Sequence, residues 1–198
     1  MRRGGWFQRN RLALLAIVVL LPATLGIMAV HQWLGYFAGW PSKPVDVTAG
    51  ESVRYGQFGW RIESTDRVGA DSAEGRERDL PAGTDLVVVT VRVDPTGATR
   101  PTVAADASAL VDTWRLCTAR LEERGGPHAA RSWTNAANGA VSLAGAGPAL
   151  SSCSSELSEP YTFDAEFVVP HDAGEQATLA LGISVVSELP EYARFALD

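Results

Sequence analysis

From Leu12 to Ser42 the chain contains no aspartate, glutamate, lysine or arginine, and His31 is the only side chain there that titrates near neutral pH. The apolar run Leu12–Leu21 continues past Pro22 through Leu25, Ile27, Met28, Ala29 and Val30. At about 1.5 Å per residue, roughly twenty such residues cross the ~30 Å hydrocarbon core of a bilayer. A helix from Leu12 to about Trp33 is therefore expected, with residues 12–33 in contact with lipid. Trp6 and Phe7 stand at one end, and Trp33, Tyr36, Phe37 and Trp40 at the other, as the headgroup preference of amphipathic rings requires. Arg2, Arg3, Arg9 and Arg11 precede the run without an acid among them, which orients the N-terminus towards the cytoplasm. A cleaved signal peptide is the rival reading. Its apolar region would run only about 7–15 residues and end on a small-x-small site. The best such site, Ile27-Met28-Ala29, opens on a bulky residue, so an uncleaved single-pass anchor in the cell membrane is favoured. In either case the chain after Trp40 lies outside the cytoplasm. Pro22 removes one backbone donor near mid-membrane, a loss that tilt and neighbouring backbone groups absorb. His31 falls in the outer interface.

The remainder is charged differently. From Lys43 onward, 13 basic side chains face 23 acidic ones, a net of −10. Such a domain is not drawn to nucleic acid or to anionic lipid by charge, and no nucleic-acid partner is expected. An apolar share of 46% excludes wholesale disorder, and 198 residues allow one ordinary domain plus an appendage. Four parts follow: a basic cytoplasmic N-terminus (1–11), a membrane helix with an interfacial aromatic segment (12–40), a linker (41–50) and an extracytoplasmic domain (51–198). Pro41-Ser42-Lys43-Pro44 reads as a stiff, extended spacer.

Beyond the spacer the apolar period becomes two. Val87, Val89, Val91 and Val93 share one strand face, and Leu86, Val88, Thr90 and Arg92 the other. Phe163, Ala165, Phe167 and Val169 point inward while Thr162, Asp164 and Glu166 point out; Leu179, Leu181, Ile183 and Val185 repeat the pattern. Less regular strands are expected near Ser52–Glu63, Thr113–Glu122, Ala130–Thr134 and Ala193–Leu197. In the first, the apolar phase slips between Tyr55 and Phe58, and the flanking Gly56 and Gly59 call for a tight turn or bulge. Leu80-Pro81-Ala82-Gly83, Asp94-Pro95-Thr96-Gly97, Gly125-Gly126-Pro127 and Pro170-His171-Asp172 mark turns. About seven short strands, with no helical period after residue 45, predict an antiparallel immunoglobulin-like β-sandwich. Gly69–Asp79 reads as a solvated loop. The Ala/Gly/Ser-rich Asn135–Ser155 stretch reads as an insertion or binding loop.

Cys117 and Cys153 are the only cysteines, and both follow the apolar segment. An even count in an oxidising compartment points to one disulfide. Closing a loop of roughly 35 residues stabilises by about 3–4 kcal/mol on chain-entropy grounds. A redox pair is disfavoured because the C-x-x-C spacing is absent.

Recognisable catalytic constellations are missing: no G-x-S-x-G elbow, no H-E-x-x-H, no phosphate-cradling glycine loop, no dinucleotide fingerprint. His128 and His171 each lie in a turn beside proline, and a metal site needs three or four converging ligands. His171-Asp172 with Glu175 supplies only a partial set, and a polar hairpin end explains these residues far better. Glu122 and Glu123 point to opposite faces of a strand and make a poor acid/base dyad. No cofactor and no metal are expected. Trp60, Trp114, Trp133 and Tyr161 remain, since exposed rings stack on sugars or anchor partners while buried ones fill cores. Trp114, Trp133 and Tyr161 are taken as the candidate binding surface.

Three pieces together resemble a group of uncharacterised actinobacterial single-pass membrane proteins with an immunoglobulin-like extracytoplasmic domain. They are Leu80-Pro81-Ala82-Gly83-Thr84-Asp85-Leu86-Val87-Val88-Val89, the Cys117…Leu121…Arg131-Ser132-Trp133 spacing, and Phe167-Val168-Val169-Pro170 followed by Leu179-Ala180-Leu181. The resemblance covers roughly residues 50–198 and implies a sandwich and a single anchor. It implies no functional residue. The expected role is a membrane-anchored module that joins an envelope or membrane protein partner without catalysis. A cell-wall glycan-binding module is the alternative, and an envelope hydrolase without recognisable motif a further one. A pocket gathering His171 with two or more carboxylates would favour the last.

Overall fold

Alternation of β-branched and polar residues dictates the architecture seen in the computed structural model. It describes residues 5–99, 116–126, 131–139, 141, 143–145, 147–154 and 156–197. Two compact units divide the chain, Met1–Trp40 and Pro41–Asp198.

The first unit is a single helix, α1 (Gly5–Ala38, 34 residues), which runs through Pro22 and extends beyond the expected Leu12–Trp33 at both ends. Within its segment Asn10–Ala38 an 18-residue window reaches a mean hydropathy of 2.6, long and apolar enough to cross a membrane or to serve as a signal sequence. Beyond Pro22 the Thr24 hydroxyl donates back to the Leu20 and Leu21 carbonyls, both at 2.9 Å. Trp33 with Phe37 and Tyr36 with Trp40 form i,i+4 aromatic pairs, with centroids 4.7 and 5.7 Å apart.

The second unit is a two-sheet β-sandwich. Its strands are β1 (Lys43–Val47), β2 (Ser52–Tyr55), β3 (Phe58–Gly69), β4 (Thr84–Asp94), β5 (Cys117–Arg124), β6 (Ser132–Thr134), β7 (Tyr161–Pro170), β8 (Thr178–Val185) and β9 (Glu191–Ala196). One sheet has the order β1-β9-β8-β5-β6 and the other β2-β3-β4-β7. The expected phase slip is a hairpin turn in which Gly56 (φ 57°) and Gln57 (φ 68°) both lie in the left-handed region, as a primed turn demands. A register shift between Ile62 and Ser64 adds a bulge in β3.

The inward parity holds as expected. Val87, Val89, Val91 and Val93 meet Phe163, Ala165, Phe167 and Val169 in one sheet, and Leu121, Leu181, Ile183, Val185 and Phe195 in the other. Trp60 is buried at 2% exposure, so it is a core residue; its Nε1 donates to the Tyr55 carbonyl at 2.8 Å. Across the interior, the Tyr55 hydroxyl accepts from the Val185 amide and donates to the Glu191 carbonyl, at 3.3 and 2.7 Å. This buried polar bridge fixes how the sheets stack.

Three expectations are corrected. Residues 43–47, assigned to a linker, form β1 within the domain, with the Ser42 and Lys43 amides donating to the Pro190 carbonyl at 2.9 and 3.0 Å. β1 runs parallel to β9, so the sandwich is not purely antiparallel. A strand edge offers unpaired donors and acceptors to any extended segment, and a Pro-containing segment serves there because few of its amides are needed. The Gly69–Asp79 stretch contains a short helix, α2 (Ala73–Glu77), capped by the Ser72 hydroxyl accepting from the Gly75 amide at 2.9 Å. A Cβ at Gly75 would collide with the Gly69 carbonyl, which is why the turn of helix can fold tightly against the end of β3.

Candidate functional site

The β7–β8 turn draws together residues from both sheets. Burial raises the Asp85 carboxyl, yet hydrogen bonds from His171 and Arg67 win and hold it below the usual carboxylate range. His171 Nδ1 lies 3.0 Å from both carboxylate oxygens, and its pKa is raised by that hydrogen bond and by the Asp85 charge. Arg67 donates to Asp85 through Nε at 2.7 Å and to the Ala173 and His171 carbonyls through its other nitrogens, both at 2.8 Å. From the opposite sheet, buried Glu123 receives Arg131 Nε and Nη2 at 2.6 and 2.8 Å and the Gly174 amide at 3.0 Å. Arg131 also reaches Asp172, at 3.1 Å. Glu123 thus meets a guanidinium fork, while Arg67 ties Asp85 to the turn carbonyls, so the turn is held by β3 and β4 on one side and by β5 and Arg131 on the other. His171 itself is 74% exposed and hydrogen-bonds one carboxylate. Among the described residues, no three or more His, Cys, Asp or Glu side chains converge as a metal site.

Two of the aromatic candidates, Trp133 on β6 and Tyr161 at the start of β7, flank a long loop. Cys117 and Cys153 are brought to disulfide distance, Cα–Cα 5.8 Å, with a sequence separation of 36. Buried Asn135 donates to the Ser151 carbonyl at 2.7 Å and accepts from the Ala137 amide at 3.0 Å. The Leu150 carbonyl accepts from the Asp164 amide at 3.0 Å, so the loop lines the free edge of β7. Tyr161 is half-buried, and its hydroxyl accepts from the Ser154 amide at 3.1 Å, next to Cys153. Trp133 is half-buried against the core, with the Arg131 guanidinium 5.6 Å from its ring centroid. Trp114 lies outside the described residues. Trp133 sits on β6 of one sheet and Tyr161 begins β7 of the other.

Glu166, expected to face solvent, is covered. Arg78 Nη2 donates to both its oxygens at 2.7 and 2.8 Å, beside a cavity of about 260 Å³ under the 136–151 loop. On the outer face of the five-stranded sheet, Glu122 is ringed by Arg120, Tyr192 and Arg194. Arg120 lies 4.5 Å over the Tyr192 ring. The absent side chain of Gly182 makes room, since a Cβ there would stand 3.2 Å from Glu122 Oε1 and Tyr192 Cε2. Sequence reasoning passed over these ion pairs. The outward parity of Arg120, Glu122 and Arg194 was readable, but their partners come from strands distant in sequence.

No protein-family model matches the chain. No curated protein sequence matches it either. Among solved structures, an uncharacterised β-sandwich protein from Clostridium difficile 630 aligns over 79% of this chain and 96% of its own, at 9% identity and a TM-score of 0.39. A likeness of that extent decides neither topology nor function.

Proposed function

We propose that the chain is a single-pass membrane protein, N-terminus in the cytoplasm, whose sandwich acts outside it as a non-catalytic interaction or assembly module. The observation carrying this reading is a helix with an uncharged stretch of span length, followed by a domain with its two cysteines at disulfide distance. Disulfides persist in oxidising compartments, and the arginines preceding the apolar run favour the cytoplasmic side. An immunoglobulin-like type is supported by strand adjacency. β5, β8 and β9 pair in the manner of strands C, F and G, β4 and β7 in the manner of B and E. Such a strand order agrees with the resemblance to actinobacterial single-pass proteins. Clamped turns and a tethered loop provide a rigid scaffold on which modest contacts suffice, because anchoring raises effective concentration at a surface.

Trp133 favours glycan binding as a second reading: a partly exposed ring beside Arg131 and Ser132 is a platform of the kind sugars use. Crosslinking in living cells, followed by purification in mild detergent, separates the two. A reproducible protein partner is expected. Recovery of the chain alone, with retention on purified wall polymer that Trp133→Ala abolishes, overturns assembly in favour of glycan binding. Turnover of an envelope substrate, lost on Asp85→Asn or Glu123→Gln, overturns the non-catalytic reading.

A further inference from the structure

The outer face of β2–β3–β4 holds an open groove of about 340 Å³ whose lining includes Arg54, Arg61, Arg92, Glu63, Asp94 and Gly59. Strand register assembles it. Arg61 stands opposite Ser52 on β2 and Arg92 on β4, while Gly59 stands opposite Arg54 and Asp94. With no side chain on Gly59, the floor stays low, and an added Cβ would press on Asp94 Cβ at 3.2 Å.

Arginine partnering singles this groove out. Elsewhere on the domain, the described arginines are matched: Arg67 by Asp85, Arg78 by Glu166, Arg120 by Glu122, Arg131 by Glu123, Arg124 and Arg194 by Asp46. Arg76 donates to the Asp71 carbonyl. In the groove, Arg54 donates to the Thr96 carbonyl at 3.0 Å, and Arg92 meets Glu63 at a loose 3.3 Å with both side chains exposed. Arg61 is exposed and, among the described residues, has no hydrogen-bond or ion-pair partner. Like charges directly opposite across two strands are unfavourable, so the Arg61–Arg92 pair costs stability unless an anion lies between them. It does so in a domain where acids outnumber bases 23 to 13.

We infer that this groove binds a single oxyanion, a carboxylate or phosphodiester monoanion, with Arg61 as its principal donor. Guanidinium forks match the geometry of both groups. Three arginines against two carboxylates leave one positive charge, which suits a monoanion. Glu63 and Asp94 repel a polyanion. The site follows from the sandwich alone and depends neither on the anchor nor on a protein partner.

The test uses the full chain in uncharged maltoside detergent, followed by saturation-transfer NMR of dimethyl phosphate and of N-acetylglycine. Trimethyl phosphate and N-acetylglycinamide serve as neutral counterparts. Expected is a saturable signal from at least one anion, absent from its neutral counterpart and weakened by added sodium chloride. Whichever anion binds more tightly identifies the source. Arg61→Gln weakens binding by about tenfold, the scale of one charge-assisted contact. Arg124→Gln, on the other sheet, leaves it unchanged. Should Arg61→Gln disturb folding, Arg92→Gln and Arg61→Lys stand in, the first weakening binding and the second retaining part of it. Equal signals from charged and neutral probes overturn the proposal, as does unaltered affinity in a folded Arg61→Gln variant.

Discussion

At the scale of the residue, Asp85 and Glu123 are the two buried carboxylates whose partners decide what surrounds the β7–β8 turn. The His171–Asp85 pair makes stability depend on pH with a definite sign. His171 has a raised pKa in the fold, so its contribution is complete below about 6.5, its unfolded value, and is lost as pH rises through the raised value. Asp85 has a lowered pKa, so its contribution is present above about 3.9 and is lost as pH falls through the lowered value. The thermal midpoint of the wild type is therefore expected to fall as pH climbs from about 6.5 through the neutral range. His171→Gln should flatten that part of the profile, and an identical slope in the variant would refute the coupling. Glu123→Ala leaves Arg131 without its main partner, and the variant should unfold at a lower denaturant concentration than the wild type. Leu121, at 0% exposure in the middle of β5, should cost about 2–5 kcal/mol when cut to alanine.

At the scale of the element, the segment between β6 and β7 turns a liability into structure. β7 ends the four-stranded sheet, and its unpaired edge is occupied by a loop held through Leu150, Asn135 and the cysteine pair. Reduction should release this loop. A closed stretch with sequence separation 36 corresponds to about 4 kcal/mol of chain entropy. Mass spectrometry of unreduced digests should show the Cys117 and Cys153 peptides linked, and reductant should lower the thermal midpoint by several degrees. Two freely alkylated thiols in protein taken from the envelope would exclude the bridge.

At the scale of the whole molecule, the prediction concerns sidedness. Glu77, exposed at the end of α2, is a suitable site for a reporter cysteine once Cys117 and Cys153 are replaced. A membrane-impermeant thiol reagent should label Glu77→Cys on intact cells. Labelling that appears only after lysis would reverse the orientation and remove the argument for an oxidising compartment.

What the sequence by itself determined was local. An uncharged run of span length is a helix in any context, because apolar residues at 1.5 Å per residue bury or dissolve in lipid wherever they stand. The valine and phenylalanine parity of β4 and β7 likewise fixed the core face, since a one-residue slip would expose every inward side chain. Tertiary structure alone decided the rest. A proline-containing segment became β1 because β9 presented a free edge, 148 residues away at the Asp46–Arg194 pair. Glu166 became buried because Arg78 and a distant loop closed over it, although its parity pointed to water. The arginine groove depends on register, which pairs Arg61 with Arg92 and leaves Gly59 between Arg54 and Asp94. Periodicity assigns a side chain to a face, and only strand pairing determines which charges it will meet there.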